Sequence, residues 1–116
     1  MLGNCEICGC YWTLDKHHLL PGMGKRRLAE EDGLYIFICR NCHDSLHADE
    51  RELLYWKKEG ERRYLKDHTF TEYMDRYGKN YLELDEIEAI ENEKEVERLE
   101  RMREVYESNN NNRKSD

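Results

Sequence analysis

The chain has 116 residues, 39% of them charged, and a formal net charge of −7. Leu, Ile, Val and Phe together supply only 22 residues, which excludes a large self-sufficient apolar core. A fold with so thin a core needs another source of stability, and the five cysteines are the obvious candidates.

No apolar run approaches the roughly 20 residues of a membrane-spanning helix, so no membrane partner is expected. The opening MLGNCEICGC has neither the basic nor the apolar stretch of a secretory signal. The expected location is the cytoplasm, where thiols stay reduced and metal ligation is favoured over disulfides. Charge is unevenly spread. Residues 1–80 are nearly neutral, whereas 81–107 hold 11 acidic and four basic side chains. The overall acidity therefore says little about whether the first 80 residues meet a nucleic acid.

In chain order, Leu14–Leu20 reads as a short strand. Pro21-Gly22-Met23-Gly24 marks a loop, and Lys25, Arg26 and Arg27 are placed in it. Leu34–Ile38, β-branched and aromatic, reads as a second strand. A short helix is expected from Asn41 or Cys42 to about Asp49. Helical segments follow over 51–80 with a break at Gly60. There, Thr69-Phe70-Thr71-Glu72 fits a capping box and Gly78 a C-terminal cap, which predicts a helix near 70–77. Residues 81–107 lack Gly and Pro and carry an apolar stripe, so one acidic helix of about 40 Å is expected. It offers that stripe to a protein partner or to a second copy of itself. Residues 108–116 read as a disordered tail. The class is α+β, divided into a core at 1–50, a helical extension at 51–80, the acidic helix and the tail.

Cys5-Glu6-Ile7-Cys8 and Cys39-Arg40-Asn41-Cys42 are two CxxC pairs. Each can present two thiolates to one ion, and four complete a tetrahedron around Zn²⁺. Such a closed site is structural and supplies folding free energy that apolar burial lacks. Cys10 is left over and competes with Cys8 as a ligand, although the spacing favours Cys8.

Four of the five histidines form a pattern. His17 and His18 are adjacent on a strand and so point to opposite faces. His43 and His47 are spaced i, i+4 on one helix face, a spacing that can grip one metal. Imidazole ligands suit Zn, Ni, Mn or Co, while Mg²⁺ prefers oxygen. A competing reading makes His43 or His47 a zinc ligand in place of a cysteine and leaves His17 and His18 on the surface. His68 lies outside the pattern and is given no role.

CEIC, then LDKHHLLPG, then LYIFICRNCHDSLH, in this order, resemble the HNH endonuclease family, the ββα-metal nucleases. The run GMGKRRLAEEDGLYIFICRNCH is similar to small phage-encoded members, which implies a host cytoplasm as the compartment. The resemblance implies a small zinc-stabilised ββα-metal core and a metal-dependent DNA endonuclease. It implies that His17, His43 and His47 hold a catalytic divalent ion (Mg²⁺, Mn²⁺, Ni²⁺ or Zn²⁺) and that His18 is the general base. Asp15 matches an acidic position that orients a ligand. Lys25, Arg26 and Arg27 could hold flanking phosphates. The chain departs from the family in one respect: Gly33-Leu34 stands where an Asn usually supports the base histidine. The alternative function is a non-catalytic zinc-ribbon module that binds nucleic acid or protein. It needs only the cysteines and predicts one metal, where the nuclease predicts two.

Overall fold

The computed structural model describes the backbone of residues 1–114 and the side chains of residues 1–109. Three strands and five helices are present among the described residues: β1 (Leu2–Asn4), β2 (Tyr11–His18), α1 (Lys25–Glu31), β3 (Tyr35–Cys39), α2 (Arg40–Ala48), α3 (Glu50–Leu65), α4 (Phe70–Tyr77) and α5 (Leu84–Lys114). The class is α+β. The sheet is antiparallel in the order β1-β2-β3, with Leu14 opposite Cys39 and His17 opposite Ile36. The chain divides into two units, 1–82 and 83–116.

The first unit has a small core, as the composition requires. Leu14, Leu19, Ile36 and Ile38 bury against Cys5 and Cys39, with Ile7, Phe37, Cys42 and Trp56 packed around them. The cysteines thus take core positions that a larger protein fills with aliphatic side chains. Beside this core, Tyr64, Tyr73 and Tyr77 of α3 and α4 pack ring against ring, with centroids 5.4–5.9 Å apart.

Four elements differ from the sequence reading. β1 was not expected, since three residues give too short a pattern; it is recruited by pairing with β2. Lys25, Arg26 and Arg27 lie on α1 and not in a loop. Gly24 at φ 79° begins that helix and Gly33 at φ 72° follows it, so the loop chemistry belongs to its two ends. Arg76 of α4 clips α1 in place through Asp32 (2.6 Å) and Glu31 (2.9 Å). The Tyr77 hydroxyl also donates to Asp32.

α3 runs unbroken through Gly60. A Cβ there would stand 2.8 Å from Leu19 Cβ and 3.2 Å from Leu20 Cγ. Gly60 is therefore a close-approach residue that lets α3 lie on the end of β2, and not a helix stop. The helix capped by Thr69 and Gly78 forms as its sequence predicts, with both halves of the capping box made.

In the second unit, α5 spans Leu84–Lys114, so it starts later and ends later than 81–107. The expected tail is helical through 114; its last two residues lie outside the described ones. Along α5, Val96, Leu99, Met102 and Tyr106 are exposed. No helix among the described residues is long and apolar enough to cross a membrane.

Replacing Gly60 tests the α3 contact. Ala gains about 1 kcal/mol of helix propensity but forces the Leu19 and Leu20 side chains away, at a cost of about 1–3 kcal/mol. Gly60→Ala is expected to lower the melting temperature; an unchanged or raised value would contradict the close packing of α3.

Candidate functional site

Cys5 and Cys8 flank the turn between β1 and β2, and Cys39 and Cys42 span the junction of β3 with α2. Their sulfurs all lie within 4.8 Å of one another. Cys8 and Cys39 Sγ are 3.8 Å apart, the separation of about 3.8 Å that 2.3 Å Zn–S bonds give in a tetrahedron. Backbone amides already point at the sulfurs: Cys8 N donates to Cys5 Sγ and Cys42 N to Cys39 Sγ, each at 3.5 Å.

Burial raises the Cys5 thiol pKa, but amides led by Cys8 outweigh it and leave the group below its ordinary value. Burial, then the Cys39 sulfur, pushes Cys42 up. These opposite directions express one constraint: four close sulfurs cannot all be thiolates without a cation among them. The donor set and spacing fit a metal such as zinc. Cys10 lies outside the four, with its Sγ 3.3 Å from Cys8 Sγ.

The second cluster is built on β2 and α2. One ligand nitrogen from each of His17, His43 and His47 lies within 4.8 Å of the others. His17 comes from the sheet and is only 7% exposed. His43 and His47 come from one face of α2, their ring centroids 4.8 Å apart. Burial, then the nearby His43 and His47, lowers the His17 pKa to about 4, so its lone pair is free at neutral pH. His43 Nδ1 is 3.1 Å from Asp15 Oδ2. This contact assigns the proton to Nδ1 and leaves Nε2 as the ligand atom. Arg40 reaches the same Asp15 oxygen at 3.3 Å.

His18 leaves the strand on the opposite face from His17. Its Nε2 is 2.7 Å from Glu30 Oε2 on α1, while its enclosed Nδ1 has no hydrogen-bond partner. Lys16 Nζ, 2.8 Å away, takes the other Glu30 oxygen and lies 4.4 Å from the Tyr35 ring centroid. Lys16, then His18, holds the Glu30 carboxylate below its ordinary pKa.

A cleft of about 270 Å³ brings Lys16, His17, His18, Arg26, His43 and His47 together. Of the three basic residues assigned to phosphates, only Arg26 lines it. Lys25 donates to the Arg76 carbonyl at 3.1 Å, and Arg27 is exposed beside Glu31 at 3.5 Å. His68 stacks on Tyr64 with centroids 4.0 Å apart, away from the cleft.

Sequence reasoning missed Glu30. The signal was there: Lys25–Glu31 holds no helix breaker and lies between Gly24 and Gly33. Read as a helix, it would have projected one of its carboxylates toward β2. Comparison of the chain with family models, curated proteins and solved structures finds no match.

Cys39→Ser removes a sulfur that belongs to the four-cysteine cluster, the core and the α2 cap together. A structural zinc site supplies on the order of 10 kcal/mol to folding; if the cluster holds such an ion, the variant loses native circular dichroism over the first unit. Cys10→Ser is expected to keep the spectrum and any metal the cluster holds. A native melt for Cys39→Ser would remove the structural role of the cluster.

Proposed function

We propose that this protein is a metal-dependent endonuclease of the HNH, ββα-metal type that hydrolyses DNA phosphodiester bonds. The observation that carries the reading is the cleft. One wall holds three imidazoles whose nitrogens converge. The other holds a fourth imidazole that is kept out of that cluster and tethered to a carboxylate.

In this reading Cys5, Cys8, Cys39 and Cys42 hold a structural zinc, and His17, His43 and His47 hold a divalent ion. That ion, when bound, supplies positive charge to the phosphate and open coordination positions. The chain's own groups do the rest. Glu30 accepts the Nε2 proton of His18, which fixes the tautomer and leaves the Nδ1 lone pair as the only ring position for another proton. His18 Nδ1 takes a proton from water as the water oxygen bonds to phosphorus. The P–O3′ bond breaks, and the leaving oxygen is protonated from solvent. Nδ1 is enclosed, and catalytic contacts commonly become productive only with substrate bound. Arg26 holds a non-bridging phosphate oxygen. Asp15 orients His43. Glu30 does for His18 what the family's Asn does in its own members, which accounts for Gly33-Leu34 at that position.

A zinc module without catalysis would use the cysteines alone. It would leave the histidine cluster and the Glu30–His18 pair without a task.

Supercoiled plasmid, incubated with the purified protein across several divalent metals, tests the reading. His18→Ala is expected to keep the fold and both metals while cleavage falls roughly 10²–10⁴-fold, the usual worth of a positioned base. His43→Ala removes a ligand, so the second metal binds more weakly and activity partly returns at high metal concentration. Glu30→Gln is expected to reduce cleavage less than His18→Ala does, at unchanged metal content. Wild-type cleavage by His18→Ala would overturn the assigned base. Loss of metal from that variant would make His18 a ligand.

A further inference from the structure

Beyond the histidine cleft lies a second one of about 320 Å³, lined by Cys10, Tyr11, Trp12, Cys39, Arg40 and Asn41. Tyr11 and Trp12 are adjacent on β2 and are 64% and 67% exposed. A chain with so little apolar material leaves two of its largest side chains in water here. Trp12 stands opposite Gly3 in the β1–β2 pairing, so no cross-strand side chain covers the indole. Although the chain has 26 acidic residues, none lines this cleft. Arg40 belongs to both places: it lines the cleft, and it contacts the Asp15 carboxylate that orients His43.

We propose that this cleft seats an unpaired nucleobase of the substrate, which makes single-stranded or locally opened DNA the substrate class. The inference rests on the endonuclease reading. An aromatic face stacks on any base, because every base has a π-face. Arg40 offers donors, and Asn41 offers both a donor and an acceptor, to the base edge. Arg40 is already paired with Asp15 at 3.3 Å and with Asp44 at 3.9 Å, which offsets its charge toward a phosphate and favours the neutral base over the backbone as the seated group. A purely apolar partner surface is disfavoured by the same lining, since covering Arg40 and Asn41 with it would strand their polar groups. Trp12 and His18 are six positions apart on β2, about 20 Å at 3.3 Å per step. At 3.4 Å per stacked nucleotide, the seated base lies up to about six nucleotides from the cleaved bond.

The test uses zinc-loaded full chain without a second metal. In a Trp56→Phe background, Trp12 is the sole indole, and its emission is titrated with a twelve-nucleotide oligothymidylate or with duplex DNA. Quenching by the single strand is expected, with the duplex at least about tenfold weaker. In the native background, the anisotropy of a labelled oligothymidylate gives affinity directly. Trp12→Ala is expected to weaken it about fivefold or more, Trp12→Phe to restore part of it, and circular dichroism to stay unchanged. Unaltered affinity for Trp12→Ala would overturn the proposal, and so would equal binding of duplex and single strand. A concentration-dependent shift of Trp12 emission without DNA would overturn it in favour of a protein contact. Plasmid cleavage with an indifferent Trp12→Ala would reject the base seat and keep the nuclease. Quenching by oligothymidylate without cleavage under any metal would do the reverse.

Discussion

Four sulfurs that converge from two distant stretches of chain constrain the rest of the first unit. Cys5 and Cys39 are core residues as well as members of the cluster. The turn after β1 and the junction between β3 and α2 must therefore meet. That meeting closes the antiparallel sheet from one end, with Leu14 opposite Cys39. The Cys39 side chain also caps α2 by accepting from Cys42 N. The start of the helix that carries His43 and His47 is thus set by a member of the cluster. A core with few aliphatic residues depends on such a tie more than a large one does.

A second tie comes from the other side. α4 holds α1 through Arg76 and Tyr77, and α1 in turn presents Glu30 to β2. The adjacent pair His17 and His18 then divides its work by strand geometry alone. One ring faces α2 and the other faces α1, because neighbouring strand residues alternate. Two imidazoles next to each other in sequence so acquire different surroundings: burial among histidines for one, a carboxylate for the other. This separation supports distinct roles for them in the proposed chemistry.

The grouping of Cys5, Cys8, Cys39 and Cys42 and the pairing of His43 with His47 were legible in the sequence because both rest on fixed local spacing, whereas His17 joined that pair only through the family resemblance. CxxC and i, i+4 are short-range rules, and the sheet then needs only to bring the halves together. The Thr69 capping box and Gly78 were legible for the same reason. Gly60 was misread because its meaning is tertiary: only the presence of Leu19 and Leu20 shows that a side chain is excluded there. Lys25 and Arg27 were assigned to phosphates from charge alone, yet their partners, the Arg76 carbonyl and Glu31, are set by a helix whose glycine-flanked ends look like loop. Glu30 was lost with that helix. α5 outran its expected end because polar Asn residues weaken a helix without stopping it.

The double duty of Cys39 has a thermodynamic consequence. If its sulfur both binds an ion and fixes the first turn of α2, then occupancy of the cysteine cluster would alter how often His43 and His47 are presented on one face. Two ions bound at separate places would then be linked through a single capped turn. Linkage is reciprocal, so each would raise the affinity of the other by the same factor. Emptying the thiolates would then weaken the histidine cluster's hold on an ion by that same factor.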